Sequence, residues 1–203
     1  MDFQIRDGKL RRYSGESKQV VVPDGVETIG VSAFEGCDVT SVQLPDSVKV
    51  IERSAFCDCG ELTRIKLPSG LTTIGNCAFV RCRALKDISL PASLTSIGEA
   101  AFAACKSLES ITIPSAVKEI GRIAFEDSGL KSLTFAPGTT RIPAKAFRSC
   151  EQLESVSIPD GVTTIGFGAF EDCSALETVV IPSSVVSIGN GAFKGTPFET
   201  SRT

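Results

Sequence analysis

The sequence predicts an α/β repeat solenoid, a stack of coils made mostly of short parallel β-strands joined by short helical or 3-10 turns. Three observations carry that prediction. Ala-Phe pairs recur at Phe34, Phe56, Phe79, Phe102, Phe125, Phe147, Phe170 and Phe193, each about 23 residues from the last. Each copy contains a short segment such as Ile88-Ser89-Leu90, the two-residue alternation of a strand with one face buried. A proline then closes that segment in nearly every copy.

The elements follow in order. Phe3-Gln-Ile5-Arg-Asp7-Gly8-Lys-Leu10 alternates around an Asp-Gly pair, a hairpin signal, so residues 1–19 read as an N-terminal cap. About eight repeats then fill 20–198 as one domain, and 199–203 form a polar tail. The first strand of each repeat ends before Pro23, Pro45, Pro68, Pro91, Pro114, Pro159 or Pro182, because proline has no N–H for a ladder. In one copy the proline slips, as Phe135-Ala136-Pro137, while Phe135 to Ile142 keeps the spacing of Leu90 to Ile97. A second short extended piece carries Leu94 and Ile97 inward.

Glycine follows that isoleucine at Gly30, Gly75, Gly98, Gly121, Gly166 and Gly189, but Glu52 and Pro143 take the place twice. Proline cannot adopt positive φ, so the column serves close coil-to-coil approach or an easy turn instead. Glu99 to Cys105 is too short for a free helix and reads as one helical or 3-10 turn held by its neighbours. The one-residue shortenings at Cys37-Asp38-Val39 and Ser128-Gly129-Leu130 fall in one connection, where loops absorb length changes.

Energy explains the number of copies. A coil buries about six large apolar side chains worth roughly 1.5 to 3 kcal/mol each, while ordering its residues costs about 1.5 kcal/mol apiece. A lone coil is unstable; stacking buries both of its faces.

Composition narrows function. Apolar residues are 42%, charged residues 22%, and the net charge is −3. Nucleic acid and anionic membranes attract basic fields, so neither is expected as a partner. No apolar run reaches the ~18 residues of a membrane span, and Met1-Asp2-Phe3 opens without the pattern of a secretory signal.

The phrase Ile-Pro-x-x-Val-x-x-Ile-Gly-x-x-Ala-Phe-x-x-Cys, as in Ile158-Pro159 through Ala169-Phe170 to Cys173, resembles the BspA-like, or Treponema-type, class of leucine-rich repeats. The resemblance runs from Phe3 to Phe198. It implies a right-handed leucine-rich-repeat superhelix with a parallel sheet on one face, in bacterial surface or secreted proteins tied to adhesion. The implied partner is a protein, such as a host matrix or another cell-surface protein, and no catalytic residue is carried over. Ser128 and Thr196 depart from the family's cysteine column.

Cys37, Cys59, Cys82, Cys105, Cys150 and Cys173 share that column and are expected to stack in the core as small buried groups. Cys57 and Cys77 lie outside it. Cys57-Asp-Cys59 with Cys77 and Cys82 matches no common metal knuckle, so no metal or cofactor is expected. The chain has no histidine, which removes Ser-His and Cys-His nucleophile pairs, and Glu126-Asp127 and Glu171-Asp172 recur as a solvated turn. An enzyme is not expected.

Binding is the better reading, and the outward strand residues are where to look. One column holds Ser41, Arg64, Asp87, Ser110, Ser132, Ser155 and Thr178; the other holds Gln43, Lys66, Ser89, Thr112, Thr134, Ser157 and Val180. Partner contact is assigned to Ser41, Gln43, Arg64, Lys66, Asp87, Ser89, Ser110 and Thr112, on a concave sheet face. Serine and threonine also suit exposed strands without any partner. A flanking column, Lys86, Glu109, Lys131 and Glu154, alternates in sign and predicts cross-coil ion pairs, with Glu177 breaking the pattern. An intracellular interaction scaffold and a structural spacer are the alternatives to a surface adhesion module.

Overall fold

Each repeat carries one isoleucine on a two-residue strand, turned inward in all but the last, where Ile188 is exposed, and stacking those strands one period apart produces the architecture. The computed structural model describes residues 2–200. The cap is a hairpin of β1 (Phe3–Arg6) and β2 (Lys9–Tyr13). The N-terminal coils then supply β3 (Gln19–Val21), β4 (Thr28–Ile29), β5 (Ser41–Gln43), β6 (Val50–Ile51), β7 (Arg64–Lys66), β8 (Thr73–Ile74) and β9 (Ser96–Ile97). Beyond them lie β10 (Ser110–Ile113), β11 (Glu119–Ile120), β12 (Ser132–Phe135) and β13 (Arg141–Ile142). The last coils hold β14 (Ser155–Ser157), β15 (Thr164–Ile165), β16 (Thr178–Val180), β17 (Ser187–Ile188) and the short helix α1 (Pro197–Thr200). The expected tail therefore begins inside α1, and 201–203 lie outside the described residues.

Two parallel ladders run along the stack. The second strands order as β1-β2-β4-β6-β8-β9-β11 and then β13-β15-β17; the first strands form β3-β5-β7, β10-β12 and β14-β16. The cap joins by pairing β2 parallel to β4, with Leu10 opposite Ile29. Ile88-Ser89-Leu90, expected as a strand, is not one: only an isolated bridge links Arg64 to Asp87. Its facing is as expected, with Ile88 buried and Ser89 exposed.

The eight repeat phenylalanines form a continuous spine of near-parallel rings, with centroids 4.9 to 5.6 Å apart from Phe34 to Phe193. Tyr13 extends it into the cap, stacked on Phe34 at 5.1 Å, and Phe198 closes it edge-on against Phe193 at 5.1 Å. Each cap thus imitates a coil and covers an otherwise open ring face.

The cysteine column is interior from Cys59 onward. The thiols of Cys59, Cys82, Cys105, Cys150 and Cys173 donate to the carbonyls of Phe34, Phe56, Phe79, Phe125 and Phe147 one coil back, at 3.0 to 3.3 Å. Thr196 keeps a hydroxyl bond of 2.6 Å to Phe193, and Ser128 lies 3.3 Å from the Cys150 thiol, so hydroxyls substitute without leaving the column unsatisfied. Cys37 is only half-buried, at the coil that meets the cap rather than a full repeat.

Glu99 to Cys105 is not helical but a run of turns. The reason lies in its amides. Ala101, Ala103 and Cys105 donate three residues back, whereas Ala100, Phe102 and Ala104 donate to Arg122, Ala124 and Glu126 of the next coil. A helix needs both sets for itself. Two left-handed columns result, Ser32, Ser54, Cys77, Ala100, Ile123 and Lys145, and Asp58, Arg81, Ala104, Asp127, Ser149 and Asp172.

The glycine column is not left-handed. A Cβ on Gly98 would lie 2.5 Å from the Asn76 amide nitrogen, and one on Gly166 at 2.5 Å from that of Ala144, so close coil approach is the use of this column. Its amide also donates to the isoleucine one coil back, as Gly98 to Ile74 and Gly121 to Ile97 at 2.8 Å. Pro143 has no such proton, and there the ladder stops between β11 and β13.

Candidate protein-binding face

Side chains alternate along each first strand, so burying Val42, Ile65, Ile88 and Ile111 forces their neighbours outward. Parallel register then aligns those neighbours. Ser41 lies beside Arg64 and Gln43 beside Lys66 on β5 and β7, and the bridge sets Arg64 beside Asp87. Ser110 and Thr112 stand on β10, opposite Ser132 and Thr134. All eight assigned residues share this face, and all but the half-buried Ser41 are exposed.

Six of them line one recess of about 680 Å³: Ser41, Gln43, Arg64, Lys66, Asp87 and Ser89. Asp87 and Ser89 continue into an adjoining hollow of about 250 Å³ with Ser110 and Thr112. Both columns also extend one coil earlier than assigned, to Gln19 and Val21 on β3. The signal was present in the sequence: Val20 precedes Val42 by the same interval that relates other repeats.

Charge pairing concentrates in the turns. Lys106 pairs with Asp127, Arg148 with Glu126 at 3.2 Å, and Lys194 with Glu171 at 3.3 Å, each across adjacent coils. Arg81 donates to both carboxylate oxygens of Asp58, which holds that carboxyl below its usual range. The flanking column forms its expected pairs only in part. Lys131 pairs with Glu109 at 3.0 Å, but Lys86 and Glu154 join no such pair among the described residues. These exposed pairs contribute about 0.2 to 1 kcal/mol each. On the strand face, none of the eight assigned side chains makes a hydrogen bond or ion pair to another described residue.

The cysteines considered for a metal do not converge. Cys59 and Cys82 are committed to spine carbonyls, and the tight group of ligand atoms among the described residues is instead Glu35, Cys57 and Asp58. Asp58 in that group already carries Arg81. Burial pushes the Cys57 thiol up to about 11, so it stays protonated at neutral pH.

A stack of parallel coils with an interior aromatic spine and a polar, unpaired sheet face defines a leucine-rich-repeat solenoid, typically a scaffold without catalytic activity. The chain belongs to the BspA type leucine rich repeat family, whose pattern matches in 6 copies over residues 11–131 and 72–200. A leucine-rich repeat protein from Bacteroides ovatus is 32% identical with a TM-score of 0.86, over 96% of this chain and 54% of that one. The Treponema pallidum leucine-rich repeat protein is 34% identical with a TM-score of 0.73, over 99% of this chain and 92% of that one. A leucine-rich cell surface protein of Faecalibacterium prausnitzii is 32% identical with a TM-score of 0.56, over 89% and 58%. The chain thus spans about half the length of the Bacteroides relative. No curated protein is a significant match. No helix among the described residues is long and apolar enough to cross a membrane.

Proposed function

We propose that residues 1–198 act as one non-enzymatic protein-binding module of the adhesion type, surface-displayed or secreted, which contacts its partner through the outward residues of the first-strand ladder. One observation carries the reading: Gln43, Arg64, Lys66 and Asp87 gather in one recess with no internal partner, while charges in the turns pair across coils. A rigid sheet presenting unengaged donors, acceptors and charges at about 4.8 Å spacing suits recognition of another protein. The recess supports a concave shape for this face, and the coils take the right-handed path that parallel crossovers favour. The surface assignment is supported by the cell surface description of the Faecalibacterium relative.

The test is binding to immobilised extracellular-matrix proteins, measured for the native chain and for Thr112→Trp/Thr134→Trp, which places two indoles on the exposed face. Loss of binding in that variant, with Thr140→Trp, immediately before β13 of the other ladder, unaffected, is expected. Equal binding by all three proteins would remove this face from the function.

A further inference from the structure

The chemistry of the partner can be read from the charges on this face, granted that the face is the binding surface. Three columns run along it: the two strand columns and the flanking column from Lys18 through Lys86 and Glu109 to Glu177. Over the N-terminal four coils these columns carry Lys18, Arg64, Lys66 and Lys86 against Asp87 alone. Over the C-terminal four they carry Glu109, Glu154 and Glu177 against Lys131, and Lys131 is already paired with Glu109.

The face is therefore polarised, and its cationic end runs against a chain of net charge −3. Acidic residues stand at both margins of these coils, Asp24 and Asp46 on one side and Glu16, Asp38 and Glu61 on the other, so the cationic character is confined to the face itself. Lys18, Arg64, Lys66, Lys86 and Asp87 form no ion pair among the described residues, although Arg64 and Asp87 are bridged neighbours.

The recess adds an apolar element. Val21, 66% exposed, stands in the Gln43 and Lys66 column, and half-buried Leu67 lines the same recess where the ladder ends after Lys66. An anion seated on Arg64 and Lys66 therefore has hydrocarbon within reach on either side.

We propose that this recess receives an acidic segment of a partner protein, with carboxylates over Arg64 and Lys66, apolar side chains against Val21 on one side and Leu67 on the other, and its acidic run ending short of Glu154. A guanidinium takes a carboxylate through two parallel hydrogen bonds, and the adjacent ammonium adds a point charge. Glu154 and Glu177 repel a segment laid in the reverse direction, so the polarity fixes orientation as well as partner. A sulfated glycan would satisfy the cations but leave the apolar ground empty.

The experiment uses two fluorescein-labelled peptides, Gly-Val-Glu-Val-Glu-Val-Glu-Gly and the same sequence with lysine for glutamate, read by fluorescence anisotropy. The acidic peptide is expected to bind and the basic one not, with binding weakened by added salt. Arg64→Glu/Lys66→Glu should weaken the acidic peptide by about tenfold or more, and Asp87→Asn should tighten it about two- to threefold. Both sites are exposed, and an unchanged circular dichroism spectrum checks that the variants fold. Absence of acidic-peptide binding, equal binding of both peptides, or indifference to the double charge reversal each overturns the inference. So does heparin binding that is lost in the reversal variant while the acidic peptide fails to bind. If matrix-protein binding persists and is blocked by Thr112→Trp/Thr134→Trp while the acidic peptide does not bind, only the acidic-segment inference falls.

Discussion

Phe102→Ala tests the stack at its centre. The ring is fully buried, with Phe79 at 5.1 Å on one side and Phe125 at 5.3 Å on the other, inclined by 4° and 7°. Truncation removes the transfer energy of the ring and leaves a void between two coils that their shared backbone bonds keep from closing. Phe102 donates to Ala124, and Phe79 to Ala101, each at 2.7 Å. The expected loss is about 3 to 5 kcal/mol. Urea denaturation gives the total, and hydrogen exchange gives its distribution. Protection should fall first in the coils around Phe79 and Phe125 and less toward the ends, because each coil contacts only its neighbours. A loss below about 1 kcal/mol, or exchange unchanged around residue 102, would refute an interior spine.

Three further outcomes follow from particular sites. Gly98→Ala should destabilise by about 1 to 3 kcal/mol through the clash with the Asn76 backbone, whereas Gly60→Ala, where a Cβ meets nothing within 4 Å, should be nearly neutral; comparable melting temperatures for the two would sink the close-approach account. Thr139 occupies an inward column beside Val117 and Val162, and its buried hydroxyl has no partner among the described residues. Thr139→Val should therefore stabilise by about 1 kcal/mol in denaturant titration, and a loss would show that the hydroxyl is satisfied. Burial pushes the Cys59 and Cys105 thiols up to about 12, from an ordinary value near 9. Below pH 9 both folded and unfolded chains hold these protons. Above it the unfolded chain releases them first, so stability should fall as pH rises from 9 toward 12, and native thiols at these positions should resist alkylation at pH 8.

Several features were legible in the sequence because each reflects a steric or periodic demand repeated in every copy. The hairpin cap follows from Asp7-Gly8, the spine from the Ala-Phe interval, and the non-left-handed glycine column from its replacement by Pro143. The left-handed columns were not legible. Glycine occupies them in some copies, at Gly168 and Gly191 and at Gly36 and Gly195, but Ile123, Lys145, Arg81 and Ala104 occupy them in others, so no single residue type marks them; the backbone is bent there because alternate amides are held by the next coil. The same commitment replaced the expected helical turns. The ion pairs were legible in part: of the alternating column Lys86, Glu109, Lys131 and Glu154, Lys131 pairs with Glu109 as the pattern suggests, while most cross-coil pairs, such as Lys106 with Asp127 and Arg148 with Glu126, sit in the turns instead.

Pattern alone determined that the chain stacks into coils, which residues point inward and which two columns face out, because those follow from the length of the repeat and the alternation of a strand. Only the tertiary structure decided that Arg64, Lys66 and Asp87 stay unpaired, that they share one recess, and that the second ladder breaks at Pro143. Each of those depends on distances between coils, which a linear interval does not specify.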